Sequence, residues 1–182
     1  MLARRLAAKG NRVLIAGRNP EKLEALAAEI GAVSLVLDAR RAAEIHAGLE
    51  RAVERFGRAD GVANCVGSLL LKPALTSQDE FDDTVATNLS SAFATVHAAG
   101  RVMRQGGPIV LVSSAAARLG LPNHEAIAAA KAGIIGLALS AAATYAGRGL
   151  RVTCVAPEQS WVTGQMLGVD GGLGRVRARG GG

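Results

Sequence analysis

Arg12-Val13-Leu14-Ile15-Ala16-Gly17-Arg18-Asn19-Pro20 decides the fold, because it joins a short apolar run directly to a helix start. The run is strand-sized, Asn19 can cap a helix, and Pro20 suits the first helical position, where its missing N–H costs nothing. Leu23, Leu26, Ala27 and Ile30 then recur at helical spacing, and Gly31 supplies the residue that most easily ends a helix. A second apolar run, Val33-Ser34-Leu35-Val36-Leu37, follows at once. Strand, helix and strand in so few residues predict a parallel crossover unit.

Working outward, the same alternation continues. A helix is expected from about Arg41 to Phe56, and Gly61-Val62-Ala63-Asn64-Cys65-Val66 reads as a third strand. Ser77 with Glu80 forms a capping box that opens a long helix through Phe81, Val85, Leu89, Phe93 and Val96 toward Met103, closed by Gly106-Gly107. Pro108-Ile109-Val110-Leu111-Val112 and Leu150-Arg151-Val152-Thr153-Cys154-Val155 read as strands, and Asn123 is the expected cap of the helix that carries Lys131. On the other side, Met1 to Gly10 carries charges within it and reads as helix rather than as a targeting signal. Strands buried on both faces and alternating with helices predict a doubly wound parallel α/β fold in one domain.

Composition narrows the function classes. The chain has 182 residues, 49% of them hydrophobic, with Ala and Gly prominent, which fits a globular domain. The longest apolar runs, such as Ile109 to Val112, are strand-sized, so no membrane span and a cytoplasmic location are expected. The net charge of +6 comes from scattered arginines, with small clusters at Arg4, Arg5, Lys9 and Arg12 and at Arg175, Arg177 and Arg179. Without aromatic residues interleaved, these read as a solvated face and a disordered tail over residues 175–182, not as a nucleic-acid site. Cys65 and Cys154 lie in apolar runs and are expected to be buried free thiols, and His46, His97 and His124 show no metal-ligand spacing.

Ligands of such folds bind beyond the carboxyl ends of the strands, which singles out Arg18, Asp38, Asn64 and Gly67. Arg18 can grip a ribose 2′-phosphate. Asp38 follows the second strand, where a carboxylate is also a good helix cap. Asn88 sits inside a long helix, where asparagine is a poor helix former. Further on, Ser113-Ser114-Ala115 precedes Pro122-Asn123-His124-Glu125-Ala126-Ile127-Ala128-Ala129-Ala130-Lys131, with thirteen residues from Ser114 to Ile127 and four from Ile127 to Lys131. The last step places two side chains on one helix face.

In order and spacing these motifs, from Leu2 to Gly172, resemble the short-chain dehydrogenase/reductase family. The resemblance implies a Rossmann-like fold over residues 1–174, NADP(H) favoured over NAD(H), and hydride transfer between that cofactor and a small carbonyl or alcohol substrate. It implies that Arg18 selects NADP(H), that Asp38 contacts the adenine, and that Asn64 and Gly67 line the cofactor path. It also implies that Asn88 holds a water in the proton relay, that Ser114 bonds the substrate carbonyl, and that Lys131 binds the nicotinamide ribose. An exposed, structurally idle Lys131 is the plain alternative. The segment Trp161 to Gly172 resembles the family's last strand at a subunit interface, so a homo-oligomer is expected.

Three departures oppose turnover. The family's Gly-rich turn and first strand, which lies mid-sheet, would precede Leu2. Glu158-Gln159-Ser160-Trp161 follows Pro157 where the family has a helical substrate loop. Ile127 stands at the family's tyrosine and has no proton to give, leaving His124, seven residues before Lys131, as the candidate donor. The same residues therefore also admit a non-catalytic Rossmann-like binding or assembly protein, or a truncated gene product with an internal gap.

Overall fold

The computed structural model describes residues 2–75 and 77–156. The expectations for Glu158, for Trp161 to Gly172 and for the basic tail lie outside them. In chain order the elements are α1 (Leu2–Ala8), β1 (Leu14–Gly17), α2 (Pro20–Ile30), β2 (Val33–Val36), α3 (Ala42–Phe56) and β3 (Val62–Asn64). Then come α4 (Gln78–Val85), a π-helical turn (Ala86–Ser90), α5 (Ser91–Val102), β4 (Gly107–Val112), α6 (Glu125–Tyr145) and β5 (Leu150–Val155).

All strand pairs are parallel, and every strand-to-strand connection carries a helix, as in a doubly wound fold. The sheet comes in two pieces, β1-β2 and β3-β4-β5. Among the described residues, β1 pairs only with β2, and β3 only with β4. The pieces are joined by α3 lying on α5, where Ile45 meets Ala94 and Ala98 beside Leu37, Ala39 and Leu49. The main core lies in the second piece: Ile109, Leu111, Leu150 and Val152 of β4 and β5 pack with Ala92, Val96 and Ala99 of α5 and with Ile134, Ala138 and Ala141 of α6.

Local chemistry explains the ends. Asn19 accepts a hydrogen bond from the Lys22 amide at 2.8 Å, Gly31 closes α2 in the left-handed region, and Ser77 accepts from the Glu80 amide at 3.3 Å. Four expectations need correction. Asn123 does not cap α6: it is itself left-handed, and His124 occupies the cap position with no side-chain bond to the helix. Cys65 is exposed, lying just past the end of β3 at Asn64, while Cys154 is half-buried. His46 does face a carboxylate, Glu50, at 3.3 Å one turn along α3, although no metal-binding cluster occurs among the described residues. The segment Glu125–Arg148, finally, is long and apolar enough to cross a membrane. Interruption by Lys131 and glycines hides this from a search for unbroken runs, and its Ile127, Ala130, Ile134 and Ala138 are buried within the fold.

Candidate functional site

Three strand ends converge on one pocket. Arg18 follows β1, Asp38 and Arg40 follow β2, Gly67 lies beyond β3, and all line a cavity of about 100 Å3 with Thr87 of the π-turn. Arg18, Asp38 and Gly67 are thus brought together, and Arg40 joins them. The Asp38 carboxylate is engaged by Arg40 through the backbone N–H at 3.0 Å, Nε at 3.3 and 3.1 Å, and Nη2 at 2.9 Å. These hydrogen bonds, with a smaller contribution from the charge of Arg18, hold the Asp38 carboxyl down to about 2. Arg18 makes no hydrogen bond or ion pair among the described residues, so its guanidinium is available to a ligand.

Asn64 is buried, but its side chain is not part of that pocket. Its amide donates to Thr95 at 2.9 Å and to Ser91 at 3.4 Å, and its oxygen accepts from the Val66 amide at 2.9 Å. It ties the end of β3 to α5 and shapes the turn that leads to Gly67.

Beyond Gly67 lies a polar cluster. Asn88 is 1% exposed and sits in the π-turn, a helix distortion that re-aims side chains and recurs at functional sites. Its amide donates to the Thr84 carbonyl at 2.9 Å and to the carbonyl and hydroxyl of Ser68 at 3.3 and 3.2 Å, while its oxygen accepts from the Ser68 amide at 3.3 Å. A Cβ at position 67 would lie 3.0 Å from the Asn88 oxygen and 3.3 Å from Lys131 Nζ, so glycine there lets the backbone pass between these two groups.

Lys131 is buried, not idle at the surface. Its Nζ donates to the Val112 carbonyl at 2.9 Å, and no carboxylate pairs with it among the described residues. Burial pushes its pKa down, and burial likewise pushes the nearby Cys154 thiol up. Ser113 fixes the helix that presents the lysine, donating to the Lys131 carbonyl at 2.8 Å. Ser114 sits at the end of β4, its oxygen accepting from the Ala116 amide at 3.2 Å. Ile127 is 3% exposed one turn before Lys131. His124 lies at the start of α6, its Nδ1 2.7 Å from the Pro122 carbonyl oxygen. Sequence reasoning missed Arg40 and Ser113, and in both cases the available signal was adjacency: each lies within two residues of a predicted site residue at a strand end.

A family model described as enoyl-(acyl carrier protein) reductase matches residues 1–159. A D-threitol dehydrogenase of Mycolicibacterium smegmatis is 37% identical over 165 residues, covering 86% of this chain and 63% of that protein. A short-chain dehydrogenase/reductase of Botryotinia fuckeliana is 31% identical over 166 residues, covering 85% of this chain and 64% of its own length. The crystal structure of a dehydrogenase/reductase from Sinorhizobium meliloti 1021 superimposes with a TM-score of 0.81 at 30% identity, over 85% of this chain and 65% of the other. The chain spans less than two thirds of the length of the curated relatives it matches.

Proposed function

The chain belongs to the short-chain dehydrogenase/reductase family of oxidoreductases, and from that premise we propose that it binds NADP(H) in preference to NAD(H) and exchanges hydride with a small carbonyl or alcohol only slowly. The observation that carries this reading is the pocket in which Arg18, Asp38 and Gly67 meet at the ends of three strands. Arg18 is unengaged there and offers a planar fork to a ribose 2′-phosphate, for which it is better suited than an ammonium. In this proposal Lys131 meets the nicotinamide ribose and Asn88 holds a relay water, and their closeness on either side of Gly67 supports the pairing. Ser114 is the group for a substrate carbonyl oxygen. When bound, the dinucleotide supplies the hydride.

The slow step follows from Ile127. A buried isoleucine can neither donate nor accept a proton, and loss of a general acid lowers a rate by about a hundredfold to ten-thousandfold. His124, the residue before the first of the same helix, is the proposed substitute donor. A non-catalytic binding or assembly protein is the second reading, and the burial of Ile127 is the observation in its favour. Assembly as a homo-oligomer in the cytoplasm belongs to the same proposal, supported by Phe93, 61% exposed on α5, and Leu139, 44% exposed on α6.

Titration of the full chain with NADPH and NADH tests the proposal. Micromolar NADPH binding that weakens by roughly tenfold or more in Arg18→Glu supports it. Absence of NADPH binding at millimolar concentration overturns it in favour of the second reading.

A further inference from the structure

We infer that Lys131 is a nucleophilic amine that condenses with a small aldehyde or ketone to form an imine, an activity separate from hydride transfer. Its surroundings offer the nitrogen no negative charge to hold a proton. Nζ donates to the Val112 carbonyl at 2.9 Å, and no carboxylate forms an ion pair with it among the described residues. A titratable neighbour, the Cys154 thiol of β5, is kept protonated by burial and so is neutral. Arg118, in the loop before α6 and close enough to act on the same thiol, has the sign of charge that disfavours an ammonium. Ile127 lies one turn earlier on the lysine's helix face and is itself buried. These conditions favour the free amine, and burial lowers the lysine's pKa accordingly. A desolvated amine of this kind is the form that attacks a carbonyl carbon.

Access comes at Gly67. A Cβ at this position would lie 3.3 Å from Nζ, so the nitrogen borders space that any other residue would fill. Gly67 also lines the strand-end pocket with Thr87, and a small carbonyl compound in that pocket reaches the amine through the unfilled space. Ser113 donates to the Lys131 carbonyl at 2.8 Å, which fixes the base of the side chain. In the reaction the Nζ lone pair forms a bond to the carbonyl carbon, the π pair of the C=O bond moves to oxygen, and a proton follows from nitrogen to oxygen. The C–O bond then breaks, the second N–H proton leaves with that oxygen as water, and a C=N bond remains. No electrons are gained or lost, so no co-reactant is needed.

The chain provides its own controls, because Lys9, Lys22 and Lys72 are exposed. The test incubates the full chain with propanal and cyanoborohydride near neutral pH, without nucleotide, and maps the reduced adduct on each lysine by mass spectrometry. Lys131 should be labelled roughly fivefold or more faster than each exposed lysine, because a larger share of it is free amine. In concentrated urea that advantage should vanish, since the environment that creates it is gone. Labelling of Lys131 no faster than that of the exposed lysines overturns the inference, as does an advantage that survives in urea. Because no nucleotide is present, failure here is distinct from failure of the NADPH titration.

Discussion

Residues 2–38 and residues 62–156 are built from the same alternation of strands and helices, yet only the second stretch has a core. No described residue from 2 to 38 is buried, although β1 and β2 are as apolar as the other strands. In β4, by contrast, Ile109 and Leu111 have no exposure at all. The difference lies in neighbours. β4 is flanked by a strand on each side, whereas β1 and β2 pair only with each other among the described residues. Helix cover matters as well: β5 is paired on one side only among the described residues, yet its Leu150 and Val152 are core because α5 and α6 pack on β4 and β5, so apolar composition states a capacity for burial that topology then grants or withholds. The pocket residues Arg18, Asp38 and Arg40 hang from the thin region, and Asn88, Ser114 and Lys131 from the packed one.

The largest expected effect tests that contrast directly. Leu111→Ala in β4 should destabilise the chain by about 3–5 kcal/mol, because a fully enclosed leucine leaves a cavity as well as losing its transfer free energy. Leu14→Ala in β1, where the side chain is only half-buried, should cost about 1 kcal/mol. Urea unfolding of both variants checks the pair. Equal losses would mean that the two regions share one core after all.

Glycines sharpen the comparison at the next level. Gly107, at the start of β4, has φ +131°, and a Cβ there would overlap the Asp60 carbonyl oxygen. Gly31, at the end of α2, has φ +66° with open space around it. Gly107→Ala should therefore cost about 2–3 kcal/mol from strain and backbone displacement, and Gly31→Ala about 1 kcal/mol from strain alone. Thermal melts that rank them in the opposite order would show that the β4 turn yields more readily than its packing implies.

Much of this was legible in the residues because it rests on local chemistry. The cap at Asn19, the stop at Gly31, the capping box at Ser77 and both ends of β5 follow from rules that act within a few positions. The long helix toward Met103 was legible only as a length. Its π-turn at Ala86–Ser90 arises where Asn88 bonds across to Ser68, a partner twenty residues away that no periodicity announces. Asn123 misled because its side chain suits a cap while its backbone takes a left-handed turn set by the preceding loop. Arg40 was invisible for a related reason: a surface arginine acquires a role only once the neighbouring strand ends bring Asp38, Arg18 and Gly67 around it.

The smallest expected effect is a pH dependence of opposite sign in the two regions. Asp38, in the thin one, has a folded pKa of about 2, below the ordinary carboxylate value. Its contribution is present above about pH 4 and fades as pH falls toward 2. Lys131, in the packed one, has a folded pKa lowered by burial. Between that value and about 10.4 the unfolded chain holds a proton that the folded chain lacks, so stability due to this group rises with pH. Below that window the folded state carries the full cost of a buried ammonium. Lys131→Met removes the charge and keeps the apolar stem, so the stability of the variant relative to the parent should be greatest near neutral pH and should decline as pH approaches 10. Losing the bond to the Val112 carbonyl shifts that difference by a constant, which makes its slope with pH the quantity to measure. Asp38→Asn should show the mirror image, destabilised at neutral pH and converging on the parent toward pH 2. A flat difference for Lys131→Met would mean that its ammonium is solvated in the folded chain, and the packed region would then reach less far around the site than the burial of Lys131 indicates.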